Sequence, residues 1–353
     1  MAGEMSSLER MATTMQLKEP DRVPVAPLMC GATARFSGIT YGQWSSGDYV
    51  EEMVQGHCEA FELIGHDAAF MLVDLSVEAA DFGQEVIFPE FDTAHPNYDN
   101  PFIKTPDDYA KIAKINPRKT KRMKSVIDLI AGLIKRVGTT HAIGGFVYGS
   151  LGTLSMMRGP EKFFMDLVEC PEKVKPALAV MDEVLTEYAL AQIEAGAHTV
   201  CYDNLYASES ILSKPLWREF EAEGMKKVCD AISNAGVLVT HHNCGNGIYF
   251  DEIIKYGHPN MVSHAYVADD VDSWEEQKAK WGGKTCTAGW IPPGPVAMLG
   301  TPEEIEEECK AEIEIYAKGG GLVLATGCEY PPNASLLNAK RIVNAGHKYG
   351  VYA

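Results

Sequence analysis

The feature that most constrains the fold is a regular alternation of short apolar segments with segments of helical spacing. Eight apolar segments have a length suited to a β-strand, and a helical segment follows each of them. Repeated units of this kind place neighbouring strands in parallel, and eight of them close a sheet into a barrel. The sequence therefore predicts an α/β fold, a (β/α)8 TIM barrel. The predicted strands are 21–28, 68–73, 142–148, 199–202, 237–239, 261–264, 285–288 and 322–326.

We expect a single domain over residues 1–353, with an N-terminal extension and loop excursions. A chain with 46% hydrophobic residues can bury the core of one such barrel. The segment 29–38 is predicted to be a loop, and 85–117 is a proline-rich excursion. The predicted helices are 49–64, 120–136, 161–167, 171–195, 215–234, 248–256, 273–281, 302–317 and 336–348.

Composition limits the partners and the compartment. The net charge of -18 disfavours nucleic acid and anionic membranes as partners, because both need a basic face. The first ten residues lack the features of a signal peptide, and no apolar run of about 18 residues or more occurs. We therefore expect a cytoplasmic protein. The nine cysteines have no paired spacing, which is typical of reduced thiols.

Polar and sulfur-containing residues occur where the predicted strands end. In a (β/α)8 barrel the active site is built at the carboxyl ends of the strands, so side chains from distant parts of the chain meet there. The sequence thus predicts a functional site at this face of the barrel. Its candidate residues are Asp74, Asp203, His242, Cys244, His264 and Cys328.

The most specific of these signals is the pair His242 and Cys244, which follows the apolar run 237–239. Residues two apart in an extended chain face the same side, so both side chains point to one place and His241 points away. Cys328 follows the last predicted strand and offers a second sulfur, although it must reach across the barrel mouth. Two sulfurs and one nitrogen suit Zn²⁺ and leave one position open for a substrate. The alternative is that these cysteines are small buried apolar residues.

Five segments together carry a family resemblance. They are 74–83 (DLSVEAADFG), 202–208 (YDNLYAS), 242–245 (HNCG), 299–304 (LGTPEE) and 326–328 (TGC). In this order the chain resembles the uroporphyrinogen decarboxylase superfamily. Within it, the chain is most similar to the corrinoid-dependent methyltransferases, typified by methylcobamide:coenzyme M methyltransferase and chloromethane methyltransferase.

The resemblance implies a zinc-dependent methyltransferase that moves a methyl group from a methylated corrinoid protein to a small thiol such as coenzyme M. It assigns the zinc ligands to His242, Cys244 and Cys328. A corrinoid-binding domain of the usual kind carries Asp-x-His-x-x-Gly, and this string does not occur here. The corrinoid (cobalamin) is therefore expected on a partner protein.

The chain also departs from its relatives. The decarboxylases hold the propionates of their substrate with an arginine-rich loop after the first strand, and only Arg35 remains in that loop here. A tetrapyrrole with many carboxylates would lack its counter-charges, which disfavours porphyrinogen decarboxylation. The segments 149–152 and 289–291 also differ from the family pattern and leave the substrate open.

Three further candidates have two interpretations each. In the functional interpretation, Asp203 holds a substrate group, orients a ligand or supplies a fourth zinc ligand. In the structural interpretation, it caps a helix or forms a hydrogen bond within a loop. His264 contacts the substrate or forms a hydrogen-bonded wall. Asp74 corresponds in position to a pocket carboxylate of the family, or it bonds backbone amides. His241 is interpreted as a core residue.

Two rival functions remain at this point. The first is a corrinoid-dependent demethylase, which passes a methyl group from a methoxylated or other methyl donor to Co(I). Sulfur-rich ligation favours the thiol reaction, since an oxygen leaving group would be served better by harder ligands. The second is a non-catalytic corrinoid or metal carrier. The concentration of polar residues at one barrel face disfavours it.

Overall fold

A curled parallel sheet forms the centre of the molecule in the computed structural model, which describes residues 4–352. Seven strands pair in parallel, each with the next one along the sheet, and two short strands form a separate antiparallel hairpin within the predicted excursion. The strands are β1 (Ala68–Phe70), β2 (Val86–Ile87), β3 (His95–Pro96), β4 (Ala142–Tyr148), β5 (Thr199–Asp203), β6 (Leu238–Asn243), β7 (Met261–His264), β8 (Cys286–Ala288) and β9 (Leu322–Val323). The parallel sheet has the order β1, β4, β5, β6, β7, β8, β9, and β2 pairs with β3.

Helices surround this sheet, and none of them within residues 4–352 is long and apolar enough to span a membrane. They are α1 (Ser7–Met15), α2 (Ala34–Ser37), α3 (Tyr41–Ser45), α4 (Val50–Ile64), α5 (Val77–Asp81), α6 (Arg122–Val137), α7 (Ser150–Arg158), α8 (Pro160–Glu169), α9 (Pro171–Glu194), α10 (Lys214–Phe220), α11 (Ala222–Asn234), α12 (Phe250–Gly257), α13 (Trp274–Trp281), α14 (Pro302–Tyr316) and α15 (Leu336–Tyr349). Short 3₁₀ segments lie at Gly31–Thr33 and Pro106–Lys111, and a turn of π-helix lies at Pro293–Met298.

The segment 21–28 completes the barrel as an extended chain rather than as a regular strand. The Ala26 N–H donates to the Leu324 carbonyl at 2.9 Å, and the Asp67 N–H donates to the Val25 carbonyl at 2.7 Å. The segment thus forms hydrogen bonds with Leu324, which follows β9, on one side and with Asp67, which precedes β1, on the other. Its two prolines lack an N–H, so the hydrogen-bond ladder is incomplete. The predicted (β/α)8 barrel is confirmed, and its first strand is less regular than predicted.

A buried carboxylate ties the N-terminal helix to this closing segment. The Asp67 side chain accepts hydrogen bonds from Ser7 Oγ, Arg10 Nη1, Arg22 Nη1 and the Val25 N–H at 2.7 to 2.8 Å. Asp67 is completely buried. Burial acts to raise its pKa, but the Arg22 guanidinium and the hydrogen bonds from the Val25 N–H and Ser7 hold that pKa below the usual range. The N-terminal extension is therefore part of the barrel's packing.

The main core lies between the strands and the helices outside them. Every residue of β4 is buried, as expected for a strand covered on both faces. Val147 of β4 belongs to the same apolar cluster as Leu185 and Tyr188 of α9 and Ile232 of α11. This layer fixes the strands and leaves their carboxyl ends free to carry the functional side chains.

Several helical regions differ from the prediction. The segment 29–38, predicted to be a loop, contains the 3₁₀ turn Gly31–Thr33 and the short helix α2, and the short helices α3 and α5 were not predicted. The helix expected over 215–234 is divided into α10 and α11 at Glu221, whose buried carboxylate accepts from Trp217 Nε1 at 2.9 Å and from the Tyr202 hydroxyl at 3.3 Å. This inward turn of Glu221 interrupts the helical backbone. Helix α7 was not predicted, because its Ser-, Gly- and Thr-rich beginning is typical of a turn.

Candidate metal centre

Three side chains converge at the carboxyl ends of the barrel strands. His242 lies near the end of β6, Cys244 follows that strand, and Cys328 follows β9. One ligand atom of each residue lies within 4.8 Å of those of the other two. His242 is buried, and the two cysteines are half-buried. The structure thus brings together the three residues that the sequence predicts as metal ligands, and Cys328 does reach across the mouth.

The His242 ring is oriented by a serine on the neighbouring strand. His242 of β6 is paired in register with Ser263 of β7, and the distance from His242 Nδ1 to Ser263 Oγ is 3.1 Å. Ser263 is buried, so this contact is protected from water. A hydrogen bond at one ring nitrogen fixes the orientation of the imidazole and directs the other nitrogen to a metal. Sequence reasoning did not identify Ser263.

His241 points to the opposite side of β6, as the strand alternation predicts. Its Nδ1 lies 3.2 Å from Asn204 Nδ2, and its Nε2 lies 3.5 Å from the Cys229 sulfur on α11. Burial lowers the pKa of His241 to about 3, so the ring is neutral. This histidine is a core residue between the sheet and the helices.

The two thiols interact with each other and with the imidazole. The pKa of Cys328 lies well below its usual range, because the Cys328 sulfur accepts hydrogen bonds from Cys244 and His242. The pKa of Cys244 is raised, because its proton is held in the hydrogen bond to Cys328 and because the thiol is largely buried. The cluster therefore favours a thiolate at Cys328, and a divalent cation would replace the remaining protons.

Asp203 lies beside the three ligand residues. It ends β5 in register with His242, and its Oδ1 accepts a hydrogen bond from the Leu205 N–H at 3.1 Å. Burial raises the pKa of Asp203 to about 7, and the Cys328 thiolate adds to this rise, whereas His242 opposes it. Its carboxyl oxygens do not belong to the group of ligand atoms within 4.8 Å of one another. Asp203 faces the site without being positioned as a ligand.

Glu329 is a second carboxyl at the site, and sequence reasoning missed it. Its Oε1 accepts hydrogen bonds from the Gly31 N–H at 2.9 Å and from the Tyr41 hydroxyl at 3.2 Å. Burial raises the pKa of Glu329 to about 7, and the neighbouring Cys328 contributes to the rise. Its position directly after Cys328, at the end of the last strand, is the signal that could have identified it.

Asp74 forms a buried ion pair in the wall of the site. Its Oδ2 contacts Arg122 Nη2, and its Oδ1 accepts from the Ser76 N–H at 2.8 Å. Arg122 also donates to Ser76 Oγ at 3.1 Å and to the Ser45 carbonyl at 2.9 Å. Asp74 also contributes to the raised pKa of Glu329. The structure places Asp74 near the site, with its charge already compensated.

His264 is the predicted site residue that the structure leaves in the surrounding wall. It is completely buried and packs between Phe250 and Trp274, with ring centroids 5.0 and 5.2 Å away. Its Nδ1 lies 2.9 Å from the Tyr266 carbonyl and its Nε2 lies 3.4 Å from Thr287 Oγ1. Burial lowers the pKa of His264 to about 4. This placement favours a supporting role over a contact with substrate.

A small cavity lies inside the barrel beneath His242. Its volume is about 20 Å³, which is room for about one water molecule. It is too small for an organic substrate. The lining residues include Leu28, Cys30, Phe70, Cys201, Thr240 and Met261.

The donor set fits zinc better than it fits a hard cation. Two sulfurs and one imidazole nitrogen are soft or borderline ligands, and the group contains no carboxylate oxygen among the residues described. Three protein ligands leave the fourth tetrahedral position for an external molecule, as in catalytic zinc sites. The residues present can therefore hold a zinc ion and still admit a substrate.

Comparisons with known proteins identify the family of the chain. The family model described as "Uroporphyrinogen decarboxylase (URO-D)" matches residues 6–349. A methylcobamide:CoM methyltransferase (MtaA) of Methanosarcina barkeri is 23% identical, over 98% of this chain and 99% of its own length. A methylcobamide:CoM methyltransferase (MtbA) of Methanosarcina acetivorans is 22% identical over the same shares.

A solved structure supports the fold. A methyltransferase from Methanosarcina mazei superposes with a TM-score of 0.82 at 20% identity, and the match covers 98% of this chain and 99% of that one. At this identity the likeness establishes the architecture alone. Together with the family match over nearly the whole length, it shows that the chain is a member of the uroporphyrinogen decarboxylase (URO-D) family.

Proposed function

We propose that this chain is a zinc-dependent methyltransferase that moves a methyl group from a methylated corrinoid protein to a small thiol such as coenzyme M. We further propose that residues 1–353 act as one methyltransferase domain. The observation that carries the proposal is the convergence of His242, Cys244 and Cys328 within 4.8 Å at the barrel mouth. The names of the relatives from Methanosarcina support the kind of reaction, because both act on methylcobamide and CoM.

The site supplies the requirements of thiol activation. A free thiol has a pKa near 8.5, so only a small fraction is thiolate at neutral pH. Zinc bound by His242, Cys244 and Cys328 would stabilise the thiolate form of the substrate at the open position. The thiol would lose its proton to solvent, and its sulfur would attack the methyl carbon in line from about 3 to 3.5 Å; the new S–C bond replaces the Co–C bond, whose electron pair would stay with the cobalt of the partner protein. The strand β6 holds His242, and the loops that follow β6 and β9 hold Cys244 and Cys328.

The surrounding residues position the reactants. Ser263 holds the His242 ring through the contact of 3.1 Å. Asp203 lies beside His242 and Cys328 and is proposed to bind the non-reacting end of the small substrate. Asp74 fixes the wall through Arg122, and His264 supports β7 from behind by packing on Phe250. In this proposal Asp203 alone of the three predicted catalytic residues touches substrate.

The methyl donor is proposed to arrive on a separate corrinoid protein. The loops 29–44 and 85–101 are expected to border the surface that receives it. Two aromatic side chains of the second loop are available for contact, since Phe91 is 69% exposed and Tyr98 is 47% exposed. Exposed aromatic side chains are enriched at protein interfaces.

The test follows the visible spectrum of methylcobalamin mixed with the purified, zinc-loaded protein and coenzyme M or another small thiol. We expect the methyl-Co(III) band to disappear only when thiol and protein are both present. Cys244→Ala should abolish this change, whereas Cys229→Ala, which removes a buried thiol behind the sheet, should retain it. No thiol-dependent change with any small thiol would refute the proposal. Co(I) with methoxylated compounds would then be tried.

A further inference from the structure

A buried amide lies between two of the candidate metal ligands. Asn243 is the last residue of β6, and it separates His242 from Cys244 in the sequence. Its side chain is completely buried. Because side chains alternate along an extended strand, Asn243 points to the face of the sheet opposite to that of His242, as His241 does. Its amide therefore lies behind the metal centre and not within the group of ligand atoms.

The Asn243 amide connects two loops at the carboxyl ends of the strands. Its Nδ2 donates a hydrogen bond to the Asn204 carbonyl at 2.8 Å, in the loop after β5. Its Oδ1 accepts a hydrogen bond from the Gly245 N–H at 2.8 Å. Asn204 directly follows Asp203, and Gly245 directly follows Cys244. One buried side chain thus joins the backbone beside Asp203 to the backbone beside Cys244.

Cys244 depends on this contact because it lies beyond the end of its strand. The ladder between β6 and β7 extends as far as Asn243, which is paired with His264, and β6 ends there. The hydrogen bond from the Gly245 N–H to the Asn243 side chain closes a turn with Cys244 at its centre. An asparagine side chain that binds the backbone two residues further on stabilises a turn of this kind. The direction of the Cys244 side chain is therefore set by the Asn243 amide and not by the sheet.

Ser208 limits the same turn from the other side. A Cβ added at Gly245 would overlap Ser208 Oγ and would lie 2.7 Å from Ser208 Cβ, well inside van der Waals contact. The φ angle of Gly245 is not positive, so this contact, and not the backbone conformation, is what requires glycine. Ser208 is completely buried, and its hydroxyl donates to the Leu205 carbonyl at 3.1 Å. The turn around Cys244 thus lies directly against the loop after β5.

We propose that Asn243 is a positioning residue for the Cys244 sulfur. Its amide fastens the turn that carries this ligand to the loop after β5, and Ser208 keeps the turn from shifting toward that loop. The inference rests on the proposed zinc site and adds to it a residue that contacts neither metal nor substrate. The distances of the Cys244 sulfur from His242 and Cys328 then depend on a side chain outside the ligand group.

Two variants that each remove one buried amide separate positioning from general stability. Asn243→Leu removes the hydrogen bonds of the amide with little change in volume. Gln192→Met is the matched control, because Gln192 is also completely buried and its amide binds the Phe146 N–H and carbonyl at 2.8 and 2.9 Å, outside the ligand group. Thermal unfolding is recorded with all metal removed, so that metal binding does not contribute to the stability. Both variants should unfold at a lower temperature than the unchanged protein.

The metal readouts should distinguish these two variants. Zinc affinity is measured by competition with a chromophoric chelator, and we expect a loss of about tenfold or more in Asn243→Leu and almost none in Gln192→Met. The sulfur-to-metal absorption of the Co²⁺-substituted protein is measured at saturating Co²⁺. It should be weaker in Asn243→Leu than in Gln192→Met, because the Cys244 sulfur is displaced from the metal.

A second pair of substitutions tests the same turn and decides the question if Asn243→Leu does not fold. Gly245→Ala should weaken zinc binding, and the addition of Ser208→Gly, which removes the overlapping atoms, should restore most of the affinity. Full zinc affinity in Asn243→Leu or in Gly245→Ala, or an equal loss in Gln192→Met, would overturn the inference. The proposed function would stand in that case, provided that the unchanged protein binds zinc and transfers the methyl group. Failure of the unchanged protein to bind zinc would refute the proposed function itself.

Discussion

The hydrogen bond between Ser263 and His242 leads to a quantitative prediction for metal affinity. Ser263→Ala removes the hydroxyl that lies 3.1 Å from His242 Nδ1 and leaves that nitrogen buried without a partner. Loss of such a supporting contact typically weakens metal binding by about 10- to 100-fold, or about 1.4 to 2.7 kcal/mol. We expect a loss of zinc affinity in this range, with the fold retained.

A matched control is available on the next strand. Thr287→Val removes the hydroxyl that lies 3.4 Å from Nε2 of His264, a buried histidine outside the ligand group. Zinc affinity is measured by competition with a chromophoric chelator, and circular dichroism verifies the fold of both variants. The reasoning is refuted if Ser263→Ala binds zinc within about twofold of the unchanged protein, or if Thr287→Val weakens binding equally.

Two further predictions concern stability. Asp67→Asn should lower the free energy of unfolding by about 3 kcal/mol or more, because it leaves Arg10 and Arg22 without their buried carboxylate. Asp128→Asn, at an exposed pair, should change it by less than about 1 kcal/mol in urea unfolding, and equal effects would contradict the role of Asp67. Burial lowers the pKa of His57 to about 3, so between about pH 6.5 and 3 the unfolded chain binds a proton that the folded chain does not. As the pH falls from 7 to 5, this histidine should lower the free energy of unfolding by about 2 kcal/mol. His57→Met should remove that part of the pH dependence. The same pH dependence in His57→Met and in the unchanged protein would contradict this prediction.

The barrel was predictable because its signal is repeated along the whole chain. Each strand is a short apolar run, and α4, α9 and α15 begin and end within a few residues of the helices predicted from spacing. The segment 21–28 was harder, since its prolines remove the hydrogen bonds that define a strand while its position in the barrel remains. Local sequence identifies the elements, and tertiary hydrogen bonds decide how regular they are.

The site was predictable where it depends on strand alternation. His242 and Cys244 face the mouth and His241 faces the helices, as a period of two residues requires. The same rule places Ser263 and His264 on opposite faces of β7. Which of the two faces the mouth depends on the register of β7 against β6, and the sequence of one strand does not determine that register. For this reason Ser263 was missed and His264 was assigned to the site.

The sequence analysis missed Glu329 and left two interpretations for Asp74, because the roles of both residues depend on neighbours that are distant in sequence. Glu329 contacts Gly31 and Tyr41, almost three hundred residues away along the chain. Asp74 is compensated by Arg122, which lies on another element. The contacts of Glu329 form only when the ends of the chain meet in the closed barrel, and the pair of Asp74 forms only when separate elements pack together, so no local pattern predicts them.

The central claim is that residues from β6 and from the end of β9 form one zinc site. The most direct test is the zinc content per chain of the purified protein, of Cys328→Ala and of Cys201→Ala, after loading with zinc and removal of the excess. Cys201 is a matched control, because its thiol lies inside the barrel but outside the ligand group. The account predicts about one zinc per chain for the unchanged protein and for Cys201→Ala, and almost none for Cys328→Ala. A full equivalent of tightly bound zinc in Cys328→Ala would contradict it.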